Sequence, residues 1–513
     1  MNPAGAPPRR PTMRRRPPPA RAAAMIRRSF VSERSMSLVA KILRHKSVEQ
    51  LQAEAGKRSD FRRVLGLWQL TAIGIGGIIG VGVFVLAGHE AATNAGPAVA
   101  LAFLIAGIAS AAAALCYAEF AGMIPVTGSA YTYSYATLGE LAAWLIGWDL
   151  LLEYALIVAV VAIGWSGYVQ VLLEGAGIHL PVWAQGAYGT GEGRVFNVIA
   201  AAVTLAVSAL LVFRTEWGAR FNTLIVAIKV LAVVLVIGVG VFYINTANWV
   251  PFVPERIVGE DGVGHFGWKG VGTAAAVVFF AVFGYDTLTT AAEESKNPQR
   301  DLPRAVLLSL GVSMVLYLAV SLVLTGIAHY STLGGDAPVS DAFAALGLPW
   351  IAKAIAFSAV VGIASVLFAF MLGAARIWFS LSRDGLLPGW FAKIHPKYGT
   401  PHRPTVALGV FTALVAGFLP IGEVAKLVNI GVLSAFIIIC ASVWVLRVRK
   451  PHLERSFRTP LVPLIPIVGI AFSIWLLAEL AAITWLIFLI WVSLGLLVYF
   501  AYGIRHSKLA QEQ

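Results

Sequence analysis

The sequence predicts an all-α polytopic membrane protein with about twelve transmembrane helices. Three observations carry this reading. The residues are 58% hydrophobic, only 13% are charged against about 25% in soluble domains, and apolar stretches of roughly 20 residues recur over most of the 513-residue chain. The mean hydropathy of +0.79 agrees. A soluble globular enzyme is thereby excluded. Cys116 and Cys440 are the only cysteines and both fall inside apolar runs, so the sequence offers no disulfide framework and no thiol zinc cluster.

The first element is a tail. Residues 1–63 hold 16 Lys/Arg against 4 Asp/Glu and so carry nearly all of the formal charge of +13. Their text, PPRRPTMRRRPPPAR, is rich in Pro and Arg with little to bury, which predicts a disordered basic cytoplasmic tail. No apolar run follows the arginines, so a cleaved signal peptide is not expected. No aromatic interleaving or fold signature speaks for nucleic acid, and contact with the anionic lipid bilayer fits the charge better. Met25 and Met36 are alternative starts that the sequence leaves open.

A transmembrane domain over 64–505 follows, and residues 506–513 form a short cytoplasmic end. Apolar stretches lie near 66–88, 97–122, 141–172, 195–213, 220–243 and 270–291, then near 304–328, 350–381, 404–420, 424–446, 462–481 and 484–504. The basic residues beyond the tail check this count. Alternate loops hold 17 of them, among them Arg214, Arg300, Lys397, Arg447, Arg455 and Lys508, while the opposite loops hold only Arg194, Arg256, Lys269, Lys353 and Lys426. The positive-inside bias then puts both termini in the cytoplasm. An integral protein of the plasma (inner) membrane is the expectation.

The first span contains Gly74, Gly76, Gly77, Gly80 and Gly82 within nine positions. Each glycine costs a helix about 1 kcal/mol relative to Ala, so the five sum to about 4–5 kcal/mol, enough to expect an unwound stretch. Lipid tolerates this only where the freed amides and carbonyls face protein, water or a ligand. The plainer reading is close helix packing through small residues. The sixth span shifts the balance, because Phe283-Gly284-Tyr285-Asp286 places a glycine and a carboxylate at mid-membrane depth. Spans one and six open two five-span halves, about 66–243 and 270–446, and interrupted segments at matching places point to the central site of a secondary transporter. In such a gap, amides at a half-helix N-terminus suit a carboxylate and freed carbonyls suit an ammonium, so a zwitterion fits both.

The run GIGGIIGVGVF in span one, GWDLLLEYALIVAVVAIGWSGY in span three, FFAVFGYDTLTTAAEESKNPQRDLPRA around span six and ARIWFSLSRDGLLP after span eight resemble the amino acid-polyamine-organocation superfamily, specifically its cationic amino acid transporter-like branch. The resemblance covers essentially residues 60–505. It implies a LeuT-type five-plus-five inverted repeat with two extra C-terminal helices near 462–504. It also implies a substrate carboxylate at the amides around Val81 and Gly82, and an ammonium at the carbonyls of Ile78, Phe280 and Phe283, with Phe280 as an aromatic gate. Some relatives have Ser where this chain has Val81, so a hydroxyl contact is lost. Met371 falls where the family lines the side-chain subsite, and an apolar residue there favours small or neutral substrates.

Lys229 is the only basic residue at membrane depth. It could snorkel, but it stands about 8 residues into its span, roughly 12 Å deep, near the limit of that escape. A lysine removed from water exchanges its proton more readily than a solvated one. The resemblance sets its ammonium where sodium-coupled relatives bind a second sodium ion, which makes the proton the expected coupling ion. Asp286 and Glu153 are further proton-coupling candidates. Asp149 and Glu153 are one turn apart, and structural pairing explains them equally well. Glu119 reads as interfacial, Glu293 and Glu294 as partners for Arg300 or Arg383, and Trp144, Trp148 and Trp165 as belt or packing residues.

No HExxH, GxSxG or Walker pattern occurs, and the nine histidines are scattered. The expected protein is therefore no enzyme and uses no cofactor and no metal. It is a proton-coupled permease for small neutral or cationic L-amino acids. An exchanger or a sodium symporter is the alternative within the class, and an amino acid receptor or channel the alternative outside it. Accessory subunits are not legible.

Overall fold

In the computed structural model, residues 42, 44–48, 50, 51, 63, 65–126, 129–213, 219–258, 264–398 and 400–512 are described. Most of the 1–63 tail, Arg214 and the side chains of Arg220, Glu293 and Glu294 lie outside that set, and with them the pairing expected for the two glutamates.

The chain is helical nearly throughout. α1 (Leu67–Ile78) is followed by a π-helical stretch, Gly82–Leu86, that runs into α2 (Ala87–Glu90). Then come α3 (Val99–Met123), α4 (Ser129–Thr137), α5 (Glu140–Gly175), α6 (Val198–Phe213) and α7 (Ala219–Gly240). A two-stranded hairpin, β1 (Ile257–Val258) with β2 (Gly264–His265), precedes α8 (Gly267–Val278) and two 3-10 stretches, Phe279–Val282 and Tyr285–Glu294. The remainder is α9 (Pro298–Ile327), α10 (Pro338–Ala345), α11 (Pro349–Arg383), α12 (His402–Phe418), α13 (Ile421–Arg449), α14 (Leu464–Ala478), α15 (Ala482–Val498), α16 (Ile504–His506) and α17 (Lys508–Glu512). The predicted apolar stretches fall on helical backbone. By length and composition, eight of the described helical runs can cross a membrane, and α1, α6 and α14 are shorter apolar helices.

Local chemistry explains several boundaries. α9, α10 and α11 each begin with proline, whose missing N–H is an orphan at a first turn anyway. Gly139 adopts φ +100° to turn the chain from α4 into α5.

Packing centres on α5 and α11, which lie along each other, with α13 against α5 and α7 against α11. α9 runs along both α3 and α1, and α8 packs on α3. The alanines of α3, such as Ala102, Ala106, Ala109 and Ala113, are fully buried and let these neighbours approach closely. The three tryptophans of α5 serve packing. Trp144 Nε1 donates to Gly495 O (2.9 Å), Trp165 Nε1 to Val360 O (2.8 Å), and Trp148 and Trp491 donate reciprocally to each other's carbonyls at 2.9 and 3.2 Å. Their rings stack with centroids 4.5 Å apart, which fastens α15 to α5.

Candidate functional site

Two helical segments stop and restart inside the packed interior, and they cross where they do so. α1 makes its last regular bond from Ile79 N to Ile75 O (2.9 Å); Ile79 is extended (ψ 105°), and helical geometry returns at Val81. α8 tightens into Phe279–Val282, Phe283 is extended, and Gly284 takes φ +123° before the next 3-10 stretch. The two backbones touch. A Cβ on Gly77 would lie 2.8 Å from Gly284 O and 2.9 Å from Thr287 Oγ1, and one on Gly284 would lie 2.7 Å from both C and O of Gly77. Only glycine fits at either position. A Cβ on Gly82 would overlap that of Ala281, and one on Gly80 would press on Val366 of α11 at 3.1 Å. Gly76 is also buried and offers its carbonyl to the site.

The carbonyls released by these interruptions find donors on other helices, as burial demands. Lys229 Nζ, from α7, donates to Gly76 O (2.7 Å), Ile79 O (2.8 Å) and Ser365 Oγ (3.0 Å). The lysine is 0% exposed, so it does not snorkel. Gly362 leaves room for its stem. An ammonium at the carbonyl end of α1 also faces the negative pole of that helix. Tyr317, from α9, donates its hydroxyl to Ile78 O at 2.6 Å and lies 2.9 Å from Ala281 O, so one side chain spans both interruptions. Ser110 Oγ donates to Val282 O (3.0 Å) and Asn429 Nδ2 to Val277 O (2.9 Å), while within the second segment itself Phe283 N donates to Phe280 O (3.3 Å).

Two of the three carbonyls expected to receive an ammonium, those of Ile78 and Phe280, therefore already have internal donors. Val81 and Gly82 stand at the restart, where first-turn amides lack intrahelical acceptors. The Val81 side chain fills the space a Cβ on Gly164 would need. Phe280 and Phe283 are buried, with the Phe283 ring packed on Phe436 (5.2 Å) and Tyr285 (5.6 Å). Met371 is fully buried on α11, five residues beyond the Val366 that meets Gly80.

The acidic candidates form one group beyond the second interruption. Asp286 is fully buried and accepts from the hydroxyl of Tyr154; its other oxygen has no partner among the described residues. Asp149 and Glu153 on α5 are 4% and 1% exposed, and among the described residues their carboxylate oxygens have no hydrogen-bond partner. Glu119, read as interfacial, is 2% exposed and held by Arg447 (2.8 Å, bidentate), Arg455 (2.9 Å) and Thr459 N (2.8 Å). Among the described residues no group of His, Cys, Asp and Glu could hold a metal ion.

Toward the C-terminal end of α5 lies a cavity of about 550 Å³, with Val85, Gly164, Val277, Glu90, Asn197 and Asp336 on its walls. Sequence reasoning missed Tyr317, Ser110, Ser365 and Asn429. Their one signal was a polar tip within an apolar run.

Comparison with known proteins supplies the family. A methylthioribose transporter of Bacillus subtilis is 45% identical over 471 residues, covering 92% of this chain and all of that protein. A branched-chain amino acid permease of the same organism is 44% identical over 92% of this chain and 99% of its own length. A vacuolar cationic amino acid transporter of Arabidopsis thaliana is 37% identical over 74% of this chain and 63% of its own length. These relatives are transporters and not enzymes. The profile of the amino acid permease family matches residues 65–500, and the chain belongs to that family, within the amino acid-polyamine-organocation superfamily.

Proposed function

We propose that the protein is a secondary active transporter that moves small neutral or cationic L-amino acids across the plasma membrane with protons. The observation that carries the reading is the crossing of the two interrupted segments at Gly77 and Gly284, among first-turn amides on one side and carbonyls on the other. Such a gap suits a zwitterion at low cost in buried charge. On this reading the chain has twelve spans in a LeuT-type five-plus-five inverted repeat, both termini are cytoplasmic, and α1 with α2, α3, α8 and α9 rocks against a frame built on α5 and α11. The substrate ammonium competes with Tyr317 for the carbonyls of Ile78 and Ala281, its carboxylate meets the amides near Val81 and Gly82, and Met371 limits the side chain.

Lys229 supports proton rather than sodium coupling, because an ammonium already fills the place at the carbonyl end of α1 that a cation would take. Its proton is the one exchanged, with Asp286 and Glu153 as relays.

Purified protein in proteoliposomes should accumulate labelled amino acids under an imposed proton gradient and not under a sodium gradient. Uptake only into preloaded vesicles would make it an exchanger, and binding without uptake a receptor. A competition panel that includes methylthioribose, the compound named for one relative, fixes the substrate class.

A further inference from the structure

Away from the crossing, the loop between α11 and α12 has a composition of its own. From Gly385 to Arg403 the chain reads GLLPGWFAKIHPKYGTPHR, with Lys393, Lys397 and Arg403, two histidines and no acid. Local bonds fix its shape. His395 N donates to Thr400 O (2.8 Å), and His395 Nδ1 accepts from the amides of Lys397 and Tyr398 at 3.2 and 3.3 Å. Thr400 Oγ1 donates to Val212 O (2.9 Å) and the Tyr398 ring meets that of Phe213 (5.3 Å), so the loop is docked on the end of α6. Phe391 packs on Trp378 of α11 (4.8 Å).

This docked loop stands at the end of a face that meets lipid. Val406, Val410 and Leu414 of α12 are each about half exposed and form one apolar stripe. At 3.6 residues per turn Arg403 lies on the same stripe, one turn before Val406, which sets it at the level of the headgroups. Its guanidinium lies 4.2 Å over the Trp390 ring, and its Nη1 donates to Trp390 O (2.9 Å). Trp390 and Ile394 are 54% and 52% exposed, and Lys393 and Lys397 are exposed beside them. Exposed apolar side chains among exposed cations are the composition of a membrane interface.

We propose that this loop and the first turn of α12 form a binding site for the headgroup of an anionic phospholipid. Its phosphate is held by Arg403 with Lys393 and Lys397, and its acyl chains lie along Trp390, Ile394 and the stripe of α12. Charge complementarity selects the occupant. A guanidinium fork suits phosphate oxygens, the positive end of α12 adds to the attraction, and no acid in the stretch opposes it. A zwitterionic lipid brings a cation of its own, which the three basic residues repel. The stacking of Arg403 on Trp390 holds the fork in place before a lipid arrives. The inference takes its leaflet, the cytoplasmic one, from the orientation proposed above; the site itself requires only a bilayer.

The test uses the full-length protein in nanodiscs, with a fluorescent maleimide on Ile394→Cys or, as control, on Phe242→Cys. Cys116 and Cys440 are fully buried, and Phe242 is 85% exposed in a stretch, 230–254, that holds no charged residue. Brominated phosphatidylglycerol and brominated phosphatidylcholine are compared as quenchers. At position 394 phosphatidylglycerol should quench at the lower mole fraction, and at 242 the two should be equal. Lys393→Gln and Lys397→Gln should each weaken the preference about fivefold. The triple variant with Arg403→Gln should abolish it, as should high salt. Equal quenching by the two lipids at 394 overturns the site. So does a preference that survives the triple variant, or one equally strong at 242, which would be a field of the whole bilayer. Relief of quenching by inorganic phosphate as effective as that by unbrominated phosphatidylglycerol would make it a soluble-anion site and overturn the lipid assignment. Nanodiscs carry the same lipids in both leaflets, so labelling of Ile394→Cys in intact cells by an impermeant maleimide would overturn the orientation and leave the site to be judged by quenching.

Discussion

Gly77→Ala tests the crossing of the two interruptions most directly. The added methyl would lie 2.8 Å from Gly284 O and 2.9 Å from Thr287 Oγ1, several tenths of an ångström inside ordinary contact. Neither neighbour is a free side-chain end. Gly284 O is main chain and already accepts from Thr287 Oγ1 at 2.6 Å, so relief requires the two backbones to part. Overpacking of this kind costs about 1–3 kcal/mol, which corresponds to roughly a 5- to 150-fold loss of affinity for a ligand that must bridge both segments. Gly311→Ala on α9 is the control, because nothing lies within 4 Å of its added methyl and the helix gains about 1 kcal/mol of intrinsic preference. Equilibrium binding of a labelled substrate to detergent-solubilised protein, with thermal unfolding measured in parallel, gives both numbers. Wild-type affinity in Gly77→Ala, or equal losses in both variants, would refute the argument that the site lies at the crossing.

Other perturbations test neighbouring steps. Lys229→Met leaves Gly76 O and Ile79 O without their donor, and should abolish accumulation driven by a pH gradient while sparing substrate exchange; full uncoupler-sensitive uptake would count against it. Tyr317→Phe should cost the empty protein about 1 kcal/mol of stability and enlarge the substrate-induced rise in Tm, because the ammonium no longer displaces a hydroxyl from Ile78 O; a smaller rise contradicts that competition. Glu119→Ala leaves Arg455, whose side chain is 1% exposed, with backbone carbonyls as its remaining partners and no countercharge, and should lower stability by about 3 kcal/mol, seen as a clear drop in the thermal midpoint at unchanged substrate affinity.

The parts of the fold written in short windows of sequence were legible. Apolar stretches of bilayer length locate the helices, and the local density of glycine at 74–82 locates the first interruption, since both depend only on neighbours in the chain. The partners of the freed carbonyls were not legible, because they are set by which helices lie side by side. Lys229 stood out as a lone charge, yet nothing in its own span says that it reaches Gly76, 153 residues earlier. Tyr317 gave still less warning. It sits in the run Met314-Val315-Leu316-Tyr317-Leu318, where its ring suits an apolar setting, and only its contact 239 positions away reveals the hydroxyl's use. The partners of Glu119 were hidden for a related reason. Its arginines come from α13 and the loop after it, 328 and 336 positions away, so nothing near it in the chain announces them.

The packing of Val81 against Gly164 has a consequence for how this site can change. The two positions share a single volume, with the side chain supplied from one wall and the vacancy from the other. Enlarging residue 164 alone would jam the restart of the first segment, and shrinking residue 81 alone would open a hollow beside the amides. A protein engineer who wishes to return a hydroxyl to position 81 should therefore screen both sites together, with alanine at 164 as the natural companion of serine at 81.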